Sequence, residues 1–180
     1  MSEFSIIVAV DEAGGIGRQE QLPWRLPGEL KHFREVTVGT GQNAVIMGRT
    51  TWLSIPEKHR PLANRINIVM SRTQSAHAGA QTVQSFDEAL LAAQKVRVQN
   101  VFVIGGASVY TAALGHPACA TLYVTRVQGT HECDTFFPDI PSTFHLAKEG
   151  EPITEAGETY WYEEYRRHPK ILEEIQNVIP

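Results

Sequence analysis

Val101-Phe102-Val103-Ile104-Gly105-Gly106-Ala107-Ser108-Val109-Tyr110 runs from four apolar residues through two glycines into a segment that continues to Leu114. The order reads as a buried strand, a tight turn and a helix, and Gly115 with Pro117 stops the helix. Related patterns precede it in the chain. Val45-Ile46-Met47-Gly48-Arg49-Thr50-Thr51-Trp52 is again strand, glycine and helix start, and Ser85-Phe86-Asp87-Glu88 opens Ala89–Val96 as a capping box of the S-x-x-E type. Leu26, Leu30 and Phe33 recur at helical spacing after Leu22-Pro23-Trp24-Arg25, with Pro27 at a helix start where its missing N–H costs nothing.

Between the helices lie Phe4–Val10, Ala44–Met47, Ile66–Met70, Val101–Ile104 and Thr121–Val127, several of them apolar without alternation. Such strands are covered on both faces. Thr159–Arg166 mixes four aromatic residues with Glu163 and Glu164, which suits a half-exposed strand paired with Phe144–Lys148. The expected fold is a single α/β domain. Its sheet is mostly parallel and twisted, of about eight strands, with helices on both faces and an antiparallel C-terminal strand. Residues 1–167 form this domain, and 168–180 form a separate tail. Within the tail Ile171, Leu172, Ile175, Val178 and Ile179 mark an amphipathic helix that, where ordered, has its own domain, a second copy of the chain or a downstream domain to pack on; its own domain is the favoured surface, and a frayed end is the alternative.

Composition narrows the function. The chain has 180 residues, 42% hydrophobic and 20% charged, with net charge −4. That excludes general disorder and coiled coil. No basic face marks a nucleic-acid partner. Val98 to Thr125 lacks Asp, Glu, Lys and Arg, but its glycines, Pro117 and hydroxyl residues break it into short elements, so no membrane span is expected. Glu3 and a short first apolar run argue against an export signal. Cys119 and Cys133 have no metal or C-x-x-C spacing, which points to a reduced, cytoplasmic setting. His131-Glu132-Cys133-Asp134 has metal-binding letters, but neighbours in an extended segment point apart, and no metal is expected.

Three groupings could carry chemistry. Glu29 shares an apolar helix face with Leu26 and Phe33, where desolvation would hold its proton for acid chemistry or for binding a cationic heterocycle. It equally suits the helix dipole as a first-turn acid. Gly105-Gly106 before a helix lets backbone approach a phosphate, and also suits tight packing; it is neither G-x-G-x-x-G nor a P-loop. Arg49 and Arg72, each after a strand, could clamp a phosphate, and Arg65 a carboxylate; each alone also reads as a solvated charge.

Together these pieces resemble the dihydrofolate reductase family from about Ile6 to Arg166. They are Gly15-Ile16-Gly17, Leu22-Pro23-Trp24, the acid at 29, Met47-Gly48-Arg49-x-Thr51-Trp52, Arg65, Gly105-Gly106, Tyr110 and Asp134-Thr135-Phe136-Phe137-Pro138. Ser54–Leu62 and Glu at 29 look like the eukaryotic branch, with loops nearly as short as in bacterial members. The resemblance implies reduction of 7,8-dihydrofolate to tetrahydrofolate by hydride transfer from NADPH. It further implies a place in one-carbon metabolism that feeds thymidylate and purine synthesis, sensitivity to antifolates, and a monomer; some family members are fused to thymidylate synthase.

The same resemblance implies residue roles. Glu29 would bind the pterin N3 and 2-amino group and promote protonation of N5. Thr125 would support the carboxylate, and Trp24 would hold a water beside it. Ile7, Val8, Leu30, Phe33, Ile55, Leu62, Ile104 and Tyr110 would enclose the substrate rings, and Arg65 would take the glutamyl α-carboxylate. For NADPH, Ala9 and Ile16 would border the nicotinamide. Gly48, Thr50, Thr51, Gly105, Gly106, Ala107, Ser108, Val109 and Tyr110 would receive its middle, with Gly105-Gly106 joined by a cis peptide. Met70, Ser71, Arg72 and Arg49 would surround the adenosine end, where Gln84 offers no extra cation. The loop Asp11–Gln21 would be a lid that excludes water, or is an ordinary strand-to-helix connection, and the residue matching Asp134 ties the lid down in some bacterial members. Two other readings stand beside this one: an NADPH reductase acting on a pyrimidine intermediate of riboflavin synthesis, opposed by Trp24, Glu29, Phe33 and Arg65 together, and an inactive folate- or nucleotide-binding module, opposed by the acid at 29.

Overall fold

The computed structural model describes residues 3–73 and 77–169. In chain order the elements are β1 (Phe4–Asp11), β2 (Gly15–Gly17), α1 (Pro27–Val38), β3 (Asn43–Gly48), α2 (Arg49–Ser54), a 3-10 turn (Glu57–His59), β4 (Arg65–Met70) and β5 (Gln81–Val83). They continue with α3 (Phe86–Lys95), β6 (Val101–Val103), α4 (Ala107–Gly115), β7 (Cys119–Val127), β8 (Thr135–Phe136), β9 (Phe144–Glu149), β10 (Ile153–Glu155) and β11 (Glu158–Arg167). Nine strands form one sheet in the order β10-β11-β7-β1-β6-β3-β4-β5, with β9 also paired to β11. From β7 to β5 every pairing is parallel; β11 pairs antiparallel with β7, β9 and β10.

The continuously apolar strands are the central ones. Ala44 to Met47 on β3 are fully buried, because both faces are covered. On one side Ile6, Ile46, Ile68, Val103 and Leu122 pack with Ala89, Leu90 and Ala93 of α3 and Ala113 of α4. On the other, Val45, Met47, Val69 and Phe102 pack with Phe33 and Val36 of α1 and Trp52 of α2. Ser85 caps α3 by accepting the Glu88 N–H at 3.2 Å, while the Glu88 carboxylate takes the Gln84 N–H at 2.8 Å, one residue ahead of the usual capping-box partner. Phe144–Lys148 does pair with the C-terminal strand, and the sheet has one strand more than expected. The edge formed by β9 and β10 runs along a single side of β11, interrupted at Gly150.

The glycine loop is pinned at two places. Asp11, buried at the end of β1, accepts the Ala13 and Gly15 N–H groups on Oδ1 and the His131 N–H on Oδ2. Further out, β2 pairs with β8, and Asp134 Oδ2 accepts the Gln19 N–H at 2.7 Å. The metal-like run disperses as its extended backbone requires: His131 meets Glu158, Glu132 pairs with Arg18, Cys133 approaches Asp11, and Asp134 holds Gln19. Among the described residues no group of three or more such side chains could hold a metal. No helix among them is long and apolar enough to cross a membrane. The amphipathic tail pattern falls on 170–180, outside the described residues.

Candidate active site

A cleft of about 790 Å³ opens across the C-terminal ends of the parallel strands, where open α/β sheets place their ligands. Val8 and Ala9 of β1, Gly48 at the end of β3, Met70 at the end of β4 and Ile104 beyond β6 supply its floor. One wall is the start of α4. The Gly105–Gly106 peptide is cis, and Gly105 has φ +124°. Its carbonyl accepts the Gly48 N–H at 2.8 Å. A Cβ on Gly105 would lie 3.3 Å from both the Thr51 and Tyr110 hydroxyl oxygens, and one on Gly106 would lie 3.3 Å from Thr51. Two glycines thus bring backbone to the cleft surface, and the N-terminus of α4, where helices have N–H groups to spare, favours anions.

The far end is polar. In the parallel register Gly48 stands opposite Met70, so Arg49 and Arg72 emerge from adjacent strand ends, both exposed. Ser71, Thr73 and Gln84 line the cleft beside them. The near end is apolar, bounded by Val8, Ala9, Ile16, Ile104 and Tyr110. All the residues expected at a cofactor line this one cleft, from Ala9 and Ile16 through Gly48 to Thr51 and Met70 to Arg72, and on to Gly105 to Tyr110.

Behind the apolar end sits the acid. Glu29, in the first turn of α1, is 6% exposed. Burial pushes its carboxyl up to about 7, and a hydrogen bond from the Thr125 side chain pulls in the opposite direction. Thr125 is itself buried and lies opposite Ala9 in the β1–β7 register. Tyr110 closes the gap between acid and cleft. Its hydroxyl donates to the Ile7 carbonyl at 2.9 Å, and burial, then the nearby Glu29 charge, raise its pKa above the ordinary phenol value. Trp24 packs with Leu26, Val127 and Tyr160. Its Nε1 is buried and has no hydrogen-bond partner among the described residues.

The other residues expected to face substrate gather on the α1 side. Phe33, Ile55, Leu62 and Ile104 pack in one cluster with buried Ile7. The Arg65 guanidinium lies 5.8 Å from the Phe33 ring centroid and donates to Thr37 Oγ1 at 2.8 Å. Leu30 is 52% exposed on the same helix. The structure also places residues at the cleft that sequence reasoning did not name as site residues: Gly17, Glu20 and Gln21 from the loop Asp11–Gln21, Leu22 just after it, and Ser54, Thr73 and Thr135. They sit on loops and element ends, where no periodicity marks a facing direction.

Fold and cleft define an α/β enzyme with a long ligand groove, cationic at one end and acid-backed at the other. Residues 3–167 match the family model for dihydrofolate reductase. Dihydrofolate reductase of Aedes albopictus is 40% identical over 94% of this chain and all of its own, and that of Drosophila melanogaster is 41% identical over 80% and 84%. A bifunctional dihydrofolate reductase-thymidylate synthase of Glycine max is 41% identical over 78% of this chain and 29% of its own. The chain belongs to the dihydrofolate reductase family, and is an oxidoreductase of that type.

Proposed function

We propose that the protein reduces 7,8-dihydrofolate to 5,6,7,8-tetrahydrofolate with NADPH as hydride donor. The observation that carries this reading is Glu29, a buried carboxyl held near 7 directly behind Ala9 and Tyr110 of the cleft. NADPH, when bound, supplies the hydride that reaches C6 of the pterin. The chain's own residues prepare that carbon. Glu29 binds the N3 and 2-amino edge and holds a proton that reaches N5, directly or through a water at Trp24 Nε1. Protonating N5 makes C6 an acceptor, and a carboxyl near 7 keeps a proton on about half of the molecules at neutral pH, where an ordinary carboxyl would keep almost none.

The cleft suits the donor. Gly105 and Gly106 leave room that Cβ atoms would close, Arg49 and Arg72 offer charge for a 2′-phosphate, and Ala9, Ile16 and Tyr110 give a planar ring an apolar seat. Phe33, Ile55 and Leu62 enclose the substrate rings, with Leu30 at the rim and Arg65 at the glutamyl carboxylate. A monomer in a reduced, cytoplasmic setting, with residues 1–167 as the reductase domain, accompanies this reading. The test is NADPH absorbance with and without dihydrofolate. Oxidation that depends on dihydrofolate is expected; binding of both compounds without oxidation would overturn the proposal.

A further inference from the structure

The helix that carries the acid lacks a cap of its own. Leu26 precedes α1 and offers no side-chain acceptor, and Pro27 at its start has no N–H. The next free donor is the Gly28 N–H, adjacent to Glu29. It is taken by Glu155 at the end of β10, across 127 positions of sequence, with contacts of 2.8 Å to Oε2 and 3.2 Å to Oε1. A carboxylate at a helix N-terminus is favoured by the dipole as well as by the hydrogen bond. The same hairpin closes over Gly28. The Tyr160 hydroxyl donates to Glu155 Oε2 at 3.4 Å, and a Cβ on Gly28 would lie 2.5 Å from that hydroxyl oxygen. Glycine precedes the acid because the β10–β11 hairpin presses on it.

We propose that Glu155 is a positioning residue for the reaction: by gripping the Gly28 N–H it holds the first turn of α1 against β11 and keeps Glu29 out of water. This rests on the proposed function, because it matters for turnover only if Glu29 works as the acid. Burial is the main reason that the Glu29 carboxyl stands near 7, so releasing the turn lets water in and moves the group toward ordinary acidity. The ionisable and polar groups facing Glu29 are Thr125 from β7, Tyr110 from α4, and Tyr160 and Tyr162 from β11, with Glu155 beyond the two phenols. His32, one turn along α1, lies on Tyr162 with ring centroids 3.9 Å apart. None of these supplies the Gly28 N–H with a second acceptor.

The experiment compares wild type, Glu155→Ala and Glu155→Gln. The first readout is a carbon-13 NMR titration of the Glu29 carboxyl in the ligand-free protein, assigned by its loss in Glu29→Gln. The second is the pH profile of kcat for dihydrofolate reduction. In Glu155→Ala the midpoint falls by about one unit, and kcat above neutral pH falls roughly tenfold. Glu155→Gln keeps an amide oxygen for the Gly28 N–H and restores most of both. A lower melting temperature in Glu155→Ala with unchanged midpoint and unchanged pH profile would reduce Glu155 to a structural cap and overturn the proposal. A Gln variant as impaired as Ala would overturn the hydrogen-bond grip. The titration needs neither substrate nor cofactor, so a wild type that fails to reduce dihydrofolate would sink the proposed function and leave the midpoint comparison readable.

Discussion

The two ends of the cleft solve opposite problems. At the far end Arg49 and Arg72 stand exposed at the tips of β3 and β4, where a charge is cheap to hold and a charged ligand can find it. At the near end Glu29 is 6% exposed, and its proton is held by the absence of water. Exposed cations select a ligand by attraction and lose little when one is missing; a buried acid acts through its surroundings and has no substitute. The difference teaches where substitution should hurt. The acid end should fail sharply, while the cationic end should lose selectivity and keep its chemistry.

Glu29→Gln is the hardest test of that contrast. The amide keeps the shape and removes the proton, so the fold and NADPH binding should survive while kcat near pH 7 falls by about 10²- to 10⁴-fold. Steady-state kinetics against pH checks it, and an undiminished Gln variant would break the contrast outright. The same variant has a stability signature in the ligand-free protein. The Glu29 carboxyl is near 7 folded and 4.5 ordinarily, so the folded state holds the proton more tightly than the unfolded state. Stability from this site is complete below pH 4.5, declines as pH rises and is gone above 7. The Gln variant escapes the decline. Denaturant melts should show its advantage over wild type growing by about 2–3 kcal/mol between pH 5 and pH 8; equal melts at both pH values would mean that the carboxyl is not desolvated.

At the open end, replacing Arg49 and Arg72 together by uncharged residues should raise KM for NADPH roughly ten- to a hundredfold, with KM for NADH little changed. Parallel loss of both cofactors would mean that these arginines shape the cleft instead of reading a phosphate. kcat should stay near wild type, because the acid end is untouched.

How much of this was legible depends on sequence distance. The central strands announce themselves, because residues 44–47 are apolar at every position and are covered on both faces. Glu29 was legible too, from its place between Leu26 and Phe33 on one helix face, although that spacing alone did not separate an acid at work from one serving the helix dipole. The strands β2, β5, β8 and β10 leave no such mark, since two or three residues carry no periodicity and their pairing is decided elsewhere. β2 finds its partner β8 more than a hundred residues on. Glu155 is silent in the sequence for the same reason: nothing near α1 says that its cap arrives from a hairpin 127 positions away. Local chemistry shows in the sequence, and long-range closure shows only in the fold.

The loop Asp11–Gln21 flanks the cleft, and the smallest expected effect belongs to it. Gly17, Glu20 and Gln21 line the cleft, so the loop forms part of the cleft wall. Its outer part is held by the β2–β8 pairing and by Asp134, which accepts the Gln19 N–H at 2.7 Å. That hydrogen bond comes first among the contacts that hold the Asp134 carboxyl below its usual range, followed by one from Thr135. The Asp11 anchor at the base of the loop is independent of it. Asp134→Ala should therefore loosen the wall without freeing the loop from the sheet. The expected result is a rise in KM for NADPH of roughly three- to tenfold, with a smaller change in kcat and no change in the acid limb of the pH profile. Stopped-flow binding of NADPH should place the loss in a faster off-rate. A fall in kcat at unchanged KM would instead assign the lid to the acid end, because the loop would then be serving the proton and not the cofactor.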